Sequence, residues 1–112
     1  MATYFGFAVA DSMFPATCNV NRRPVTADAV KADLEGAIMA INPSHVPTIE
    51  AAKKRFGFTI EVPEKAPVVT LKSGDKVIVM SARGLPRLEG RHEYTEEEIA
   101  GATFAFGEWT VS

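Results

Sequence analysis

The chain has 112 residues, 46% apolar and 23% charged, with a formal net charge of −2. That length fits one domain over 1–112 with a core large enough to fold unaided, and the composition excludes wholesale disorder. The near-neutral balance excludes a global pull toward long nucleic acid or anionic membranes, and the lone cysteine, Cys18, excludes an internal disulfide and suits a reducing, cytoplasmic setting.

In chain order, Thr3 to Val9 is aromatic and β-branched and reads as a first strand. The N-terminal run is short, contains Asp11 and lacks a basic region, so it does not read as a signal peptide. No apolar run approaches the roughly 20 residues of a membrane helix. Asp11, Ser12, Pro15 and Asn19 break the pattern over Ala10 to Arg23, which reads mostly as loop with room for a short strand at Thr17 to Val20. Thr26 then suits an N-cap, Val30 and Leu34 share one face, and Gly36 suits a helix end, so a first helix is expected over Ala27 to Glu35.

Ala37 to Ile41 is a short apolar run expected to form a buried strand, followed by the turn Asn42-Pro43-Ser44. A second helix is expected from about Pro47 to Phe56. Ile49, Ala52 and Phe56 make its inner face, Lys53, Lys54 and Arg55 lie in its last turn, and Gly57 ends it. From Phe58 the period is two, so Phe58, Ile60 and Val62 read as a strand. Val68 to Leu71 and Val77 to Met80 read as two strands of a hairpin around Lys72 to Lys76. Ser81 to Tyr94 reads as a long polar loop, Thr95 to Glu98 as a capping box, and Thr103 to Val111 as a last alternating strand. The expected fold is α+β, a single mixed sheet of five to seven strands with two main helices on one face.

Residue types that carry chemistry cluster in two places. His45 lies just before the second helix, where unpaired amides and the helix dipole favour phosphate and a histidine can protonate a leaving oxygen. Ser81 to Glu93 carries Arg83, Arg87, Arg91 and His92, opposed only by Glu89 and Glu93; arginine grips phosphate through a planar fork. A solvated surface loop accounts for the same composition. Arg22 and Arg23 make a weaker second cluster. Glycine-rich phosphate loops, metal motifs and a nucleophile elbow around Ser12, Asp11 or His45 are absent from the sequence.

Three stretches together resemble the viral and phage anti-CRISPR ring nucleases of type III immunity. The first is SHVPTIEAAKKRFG (44–57), where His45, Thr48 and Gly57 keep the family's histidine, a threonine three residues on and a glycine twelve on. The second is LKSGDKVIVM (71–80), similar to the family's Gly-Asp turn before an apolar strand. The third is RGLPRLEG (83–90), similar to its Arg-Leu-x-Glu-Gly loop. The resemblance implies a homodimer that binds and degrades a cyclic nucleotide signal, cyclic tetra-adenylate in the family, with neither metal nor cofactor. Carried over residue by residue, it implies catalytic roles for His45, Arg87 and Glu89, and ligand contacts at Ser44, Thr48, Arg83, Arg91 and Ser12. The sequence departs from the pattern in four places. Ser44 stands where a glycine is usual, and Phe7 where an asparagine-bearing ligand loop is expected. Arg87 and Glu89 are two apart instead of three, and the stretch from the second helix to the Gly-Asp turn is about two residues longer. Those departures leave room for a protein that only sequesters a cyclic nucleotide or a cyclic ADP-ribose-type immune signal. Two other classes remain open: a protein-binding module using its sheet edge, and a metal-free hydrolase of another small substrate.

Overall fold

The computed structural model describes residues 2–91 and 93–112. Its strands are β1 (Thr3–Gly6), β2 (Val20–Val25), β3 (Ile38–Ala40), β4 (Lys76–Arg83) and β5 (Thr103–Val111). They form a single mixed sheet in the order β2-β5-β4-β1-β3. β1 runs parallel to both β3 and β4, while β5 runs antiparallel to β4 and β2. The helices are α1 (Ala27–Asp33), α2 (Val46–Phe56) and the short α3 (Glu96–Gly101). The α+β class therefore holds, with five strands among the described residues. No described helix is long and apolar enough to cross a membrane.

Helix starts follow local chemistry. Thr26 Oγ1 accepts the Ala29 amide at 3.2 Å and opens α1. Thr95 and Glu98 form the reciprocal capping box that opens α3. Gly57 ends α2 in the left-handed region, at φ 70°, which a side chain would strain.

The core follows from strand alternation. Phe5, Ile78, Met80 and Phe106 face α1 and α2 and meet Val30, Leu34, Ile49 and Ala52, all buried. Burying each large side chain contributes roughly 1.5–3 kcal/mol. Val77 and Val111 point to the other face, where they join Leu71 beneath Met13, Phe14 and Cys18.

One carboxylate sits inside the helix-side layer. Glu108 is 4% exposed, with Arg23 Nε at 2.7 Å and Lys76 Nζ at 3.1 Å. Lys76 also reaches Asp33 of α1 at 3.4 Å. Burial pushes the Glu108 carboxyl up, but the two cations outweigh it and hold it below the usual carboxylate range.

Four sequence expectations change. The loop expected over Ala10 to Arg23 instead enters strand β2 at Val20, because its backbone completes the edge beside β5. Phe58 and Ile60 are buried, yet 57–62 is not a strand; the two side chains fill the core without a ladder partner. The hairpin also fails, since Val68 is 94% exposed and Leu71 pairs with the Met13 carbonyl instead. The Lys72–Asp75 turn is anchored by Asp75, which accepts the amides of Ala2 at 2.8 Å and Lys72 at 2.9 Å. Finally, β4 runs three residues beyond Met80, to Arg83, because β5 stays beside it throughout.

Candidate functional site

β1 ends at Gly6, opposite Val79, whereas β4 continues to Arg83 with β5 alongside. From Met80 onward, the β1 side of β4 has lost its strand partner. β3 ends at Ala40, opposite Gly6. β1 and β3 thus stop together beside a β4 that runs on, and this leaves a notch at their carboxyl ends, the usual place for ligands in sheets with parallel strands.

Each strand end delivers a side chain to this notch. Phe7 follows β1. The chain leaving β3 makes a 3-10 turn, Pro43–His45, that runs straight into α2. Together with Ser81 and Ala82 of β4, and Leu85 and Tyr94 from the following loop, Phe7, His45 and Thr48 line an open cleft of about 400 Å³. Thr48 is three residues after His45, so one helical turn brings both to the same wall.

His45 is exposed and has φ −93° and ψ 10°, between the strand and helix regions. Its ring meets the Phe7 ring edge-on, with centroids 4.9 Å apart and an interplanar angle of 70°. The backbone here is already occupied. Asn42 Oδ1 accepts the Ser44 amide at 2.9 Å, the His45 amide donates to the Asn42 carbonyl at 3.0 Å, and the Val46 amide donates to Pro43. Pro47 has no amide. This end of α2 therefore presents side chains to a ligand, and its first amides are spent inside the turn.

The other candidate residues scatter around the notch. Arg83 ends β4 and is exposed; Arg87 and Glu89 are exposed on the loop that follows; Ser44 is exposed beside His45. None of these four lines the cleft. Arg91 is held by Glu98 through two hydrogen bonds of 2.8 and 2.9 Å. That pairing, with the Thr95 amide, lowers the Glu98 carboxyl to about 2. Ser12 lies in a separate 3-10 turn, Asp11–Met13, whose Met13 packs on the far face of the sheet. His92 lies outside the described residues. Sequence reasoning missed Ser81, Leu85 and Tyr94. A longer β4 would have pointed to Ser81, but Leu85 and Tyr94 carry no local signal.

Larger hollows lie elsewhere. One of about 480 Å³ is bordered by Lys31, Glu35 and Glu61, whose charges oppose one another. Another, of about 680 Å³, lies along Arg55 and α3, where Arg55 is already bound to backbone carbonyls. Neither gathers a histidine with hydroxyl side chains as the notch does.

No protein-family model matches this chain. No curated protein matches it either. Among solved structures, B116 of Sulfolobus turreted icosahedral virus is similar, with a TM-score of 0.72 over 98% of this chain and 99% of that one, at 18% identity. The chain thus shares its fold with a viral protein along nearly its whole length.

Proposed function

We propose that this protein is a viral anti-defence factor that binds a cyclic nucleotide second messenger of antiviral immunity in the notch and opens its ring without a metal ion. The observation that carries the reading is the meeting of His45, Thr48, Ser81 and Tyr94 where β1 and β3 end beside a continuing β4. The fold it shares with a viral protein supports the viral setting.

In this reading RNA supplies its own nucleophile. The 2′-oxygen of one nucleotide bonds to the adjacent phosphorus while the bond from phosphorus to the 5′-oxygen breaks. The 2′-hydroxyl proton passes to water, and protonated His45 gives its proton to the departing 5′-oxygen. The products are a linear strand with a 2′,3′-cyclic phosphate and a free 5′-hydroxyl. Acid catalysis of this kind contributes about 10²–10⁴-fold, and in-line alignment contributes several kcal/mol more. Thr48 offers a hydroxyl to phosphate oxygens, and Tyr94 offers a ring face to a base. Arg87 and Glu89 stand on the loop bordering the cleft, where Arg87 would offset charge on the phosphoryl oxygens once a ligand draws the loop in. A homodimer suits a cyclic ligand, because a two-fold axis presents the same groups to equivalent phosphates.

The Phe7 ring against His45 favours a second reading, in which the notch holds the nucleotide intact and His45 is only a contact. Mass spectrometry of a cyclic-nucleotide panel after incubation separates the two. Linear products that vanish in His45→Ala support cleavage. Intact nucleotide recovered after heat denaturation, with unchanged binding by His45→Ala, leaves sequestration. If no nucleotide raises the melting temperature, both readings fall, since a tight ligand must stabilise the fold it binds.

A further inference from the structure

The face of the sheet turned away from α1 and α2 carries an arginine that the site above does not use. Arg22 of β2 stands directly opposite Trp109 of β5, and facing residues of an antiparallel pair share a face. The Arg22 guanidinium lies over the backbone of Gly107. A Cβ at that glycine would sit 2.9 Å from one terminal nitrogen and 3.0 Å from Nε. Beside it, Val79 and Ser81 of β4 and Ala105 and Gly107 of β5 line a hollow of about 130 Å³, with Arg22 and Trp109 at its rim. Among the described residues Arg22 has no acidic partner. Its neighbour Arg23, on the opposite face, is bound to Glu108, and Arg91 is bound to Glu98. An unneutralised guanidinium next to an indole, over a floor of small side chains, has the chemistry to hold a phosphate and stack a base.

Ser81 borders both this hollow and the His45 cleft, so the two are neighbours across one residue. Adjacent strands are spaced about 4.8 Å apart, which puts the notch beside β4 on the order of 10 Å from the groove over β5. A ligand with one phosphate fills one hollow or the other. Only a ligand with several phosphates places one in each.

Resting on the reading of the notch as a nucleotide site, we infer that Arg22 and Trp109 form a second subsite, which takes a phosphate and a base of an oligonucleotide ligand whose reacting phosphate lies at His45. The notch alone would serve a mononucleotide; the second subsite makes the protein selective for oligonucleotides.

Trp109 is the single tryptophan of the chain, so its emission reports on this subsite. The probes are adenosine monophosphate, linear triadenylate and cyclic tetra-adenylate, titrated against the wild type, His45→Ala, Arg22→Ala and Gly107→Ala. Gly107→Ala keeps the charge of Arg22 but pushes its guanidinium off the sheet, and the obstacle is the end of a flexible side chain, so the fold survives. The expected result is quenching of Trp109 by the oligonucleotides and not by the mononucleotide, in the wild type and in His45→Ala. Arg22→Ala and Gly107→Ala should each weaken oligonucleotide binding by about tenfold or more, the loss of one charge-assisted contact. Arg22→Ala should also flatten the salt dependence of binding by about 0.7 in log–log slope. Oligonucleotide binding with unchanged Trp109 emission, and with both variants within twofold of wild type, overturns the subsite and leaves the notch reading standing. Absence of binding by every probe overturns the notch reading, and the subsite with it.

Discussion

Arg91 grips both carboxylate oxygens of Glu98, Nη1 to Oε1 at 2.8 Å and Nη2 to Oε2 at 2.9 Å. Glu98 Oε1 also accepts the Thr95 amide at 2.8 Å. A single carboxylate thus caps α3 and ties down the end of the loop that carries Arg87 and Glu89.

The clip predicts an acid-sensitive loop. The folded Glu98 carboxyl is lowered to about 2 from an ordinary value of 4.5, so its contribution is complete above pH 4.5 and fades as pH falls toward 2. Protection of the loop and α3 amides, taken relative to the intrinsic exchange rate at each pH, should fall over that window before the rest of the sheet opens. Glu98→Gln should show the faster exchange already at neutral pH. Equal protection of loop and sheet throughout the window would count against the clip.

Glu108 makes a second, deeper prediction. Its carboxylate is held by Arg23 and Lys76 within the packed layer. Glu108→Gln keeps the shape, removes the charge, and leaves two cations with a weaker acceptor. Because Arg23 is largely exposed, the loss is modest, about 1–3 kcal/mol. A shifted denaturation midpoint at unchanged slope checks it. The folded carboxyl lies below the usual range, so the stabilisation is present above the ordinary carboxylate value and is lost as pH falls below it. The variant's stability should therefore depend less on acid than the wild type's.

Arg55 joins two helices. Its Nη1 donates to the carbonyls of Ile99 at 2.8 Å and Ala102 at 2.6 Å, and the guanidinium lies 5.6 Å from the Phe104 ring centre. Arg55→Ala should lower stability by about 1–3 kcal/mol, and Arg55→Lys should recover only part, because an ammonium can replace the Nη1 contacts but has no planar fork to lie against the Phe104 ring. Thermal unfolding of the pair decides it; full recovery by lysine would mean that charge at the helix end matters and the fork does not.

What the sequence displayed of this fold depended on whether burial and hydrogen bonding agreed. β5 was legible to the residue because Phe104, Phe106 and Glu108 alternate with residues of the other face along a fully paired strand. α2 was legible to within one residue because Ile49 and Ala52 share a face and Gly57 stops it. β2 was hidden because it is an edge strand with almost every side chain exposed, Arg22, Arg23 and Pro24 included. Phe58 and Ile60 misled in the opposite sense, alternating and buried but unpaired. At the site, His45 was visible from its place just before α2, and Thr48 from the three-residue spacing that carries the family resemblance. Ser81, Leu85 and Tyr94 come from distant parts of the chain, and only the early end of β1 makes them neighbours.

That early end rests on Gly6. A Cβ added there would lie 2.8 Å from the Ala40 carbonyl oxygen, a backbone atom that cannot swing aside. The absence of a side chain lets β1 and β3 approach closely where both stop, and so sets the separation between Phe7, one residue on, and His45, five residues beyond Ala40. Gly6→Ala must push the two strand ends apart. It should cost about 1–3 kcal/mol, as overpacking does, and it should change the ring-current field that Phe7 exerts on the His45 ring. Gly107→Ala is the contrast, because the nearest atoms to the added methyl there belong to the mobile end of Arg22. Thermal unfolding together with the His45 ring-proton shifts tests both statements. Gly6→Ala should lower the melting temperature and shift the His45 resonances, whereas Gly107→Ala should do neither. If Gly6→Ala leaves the His45 shifts in place, the strand spacing does not set the geometry of the notch.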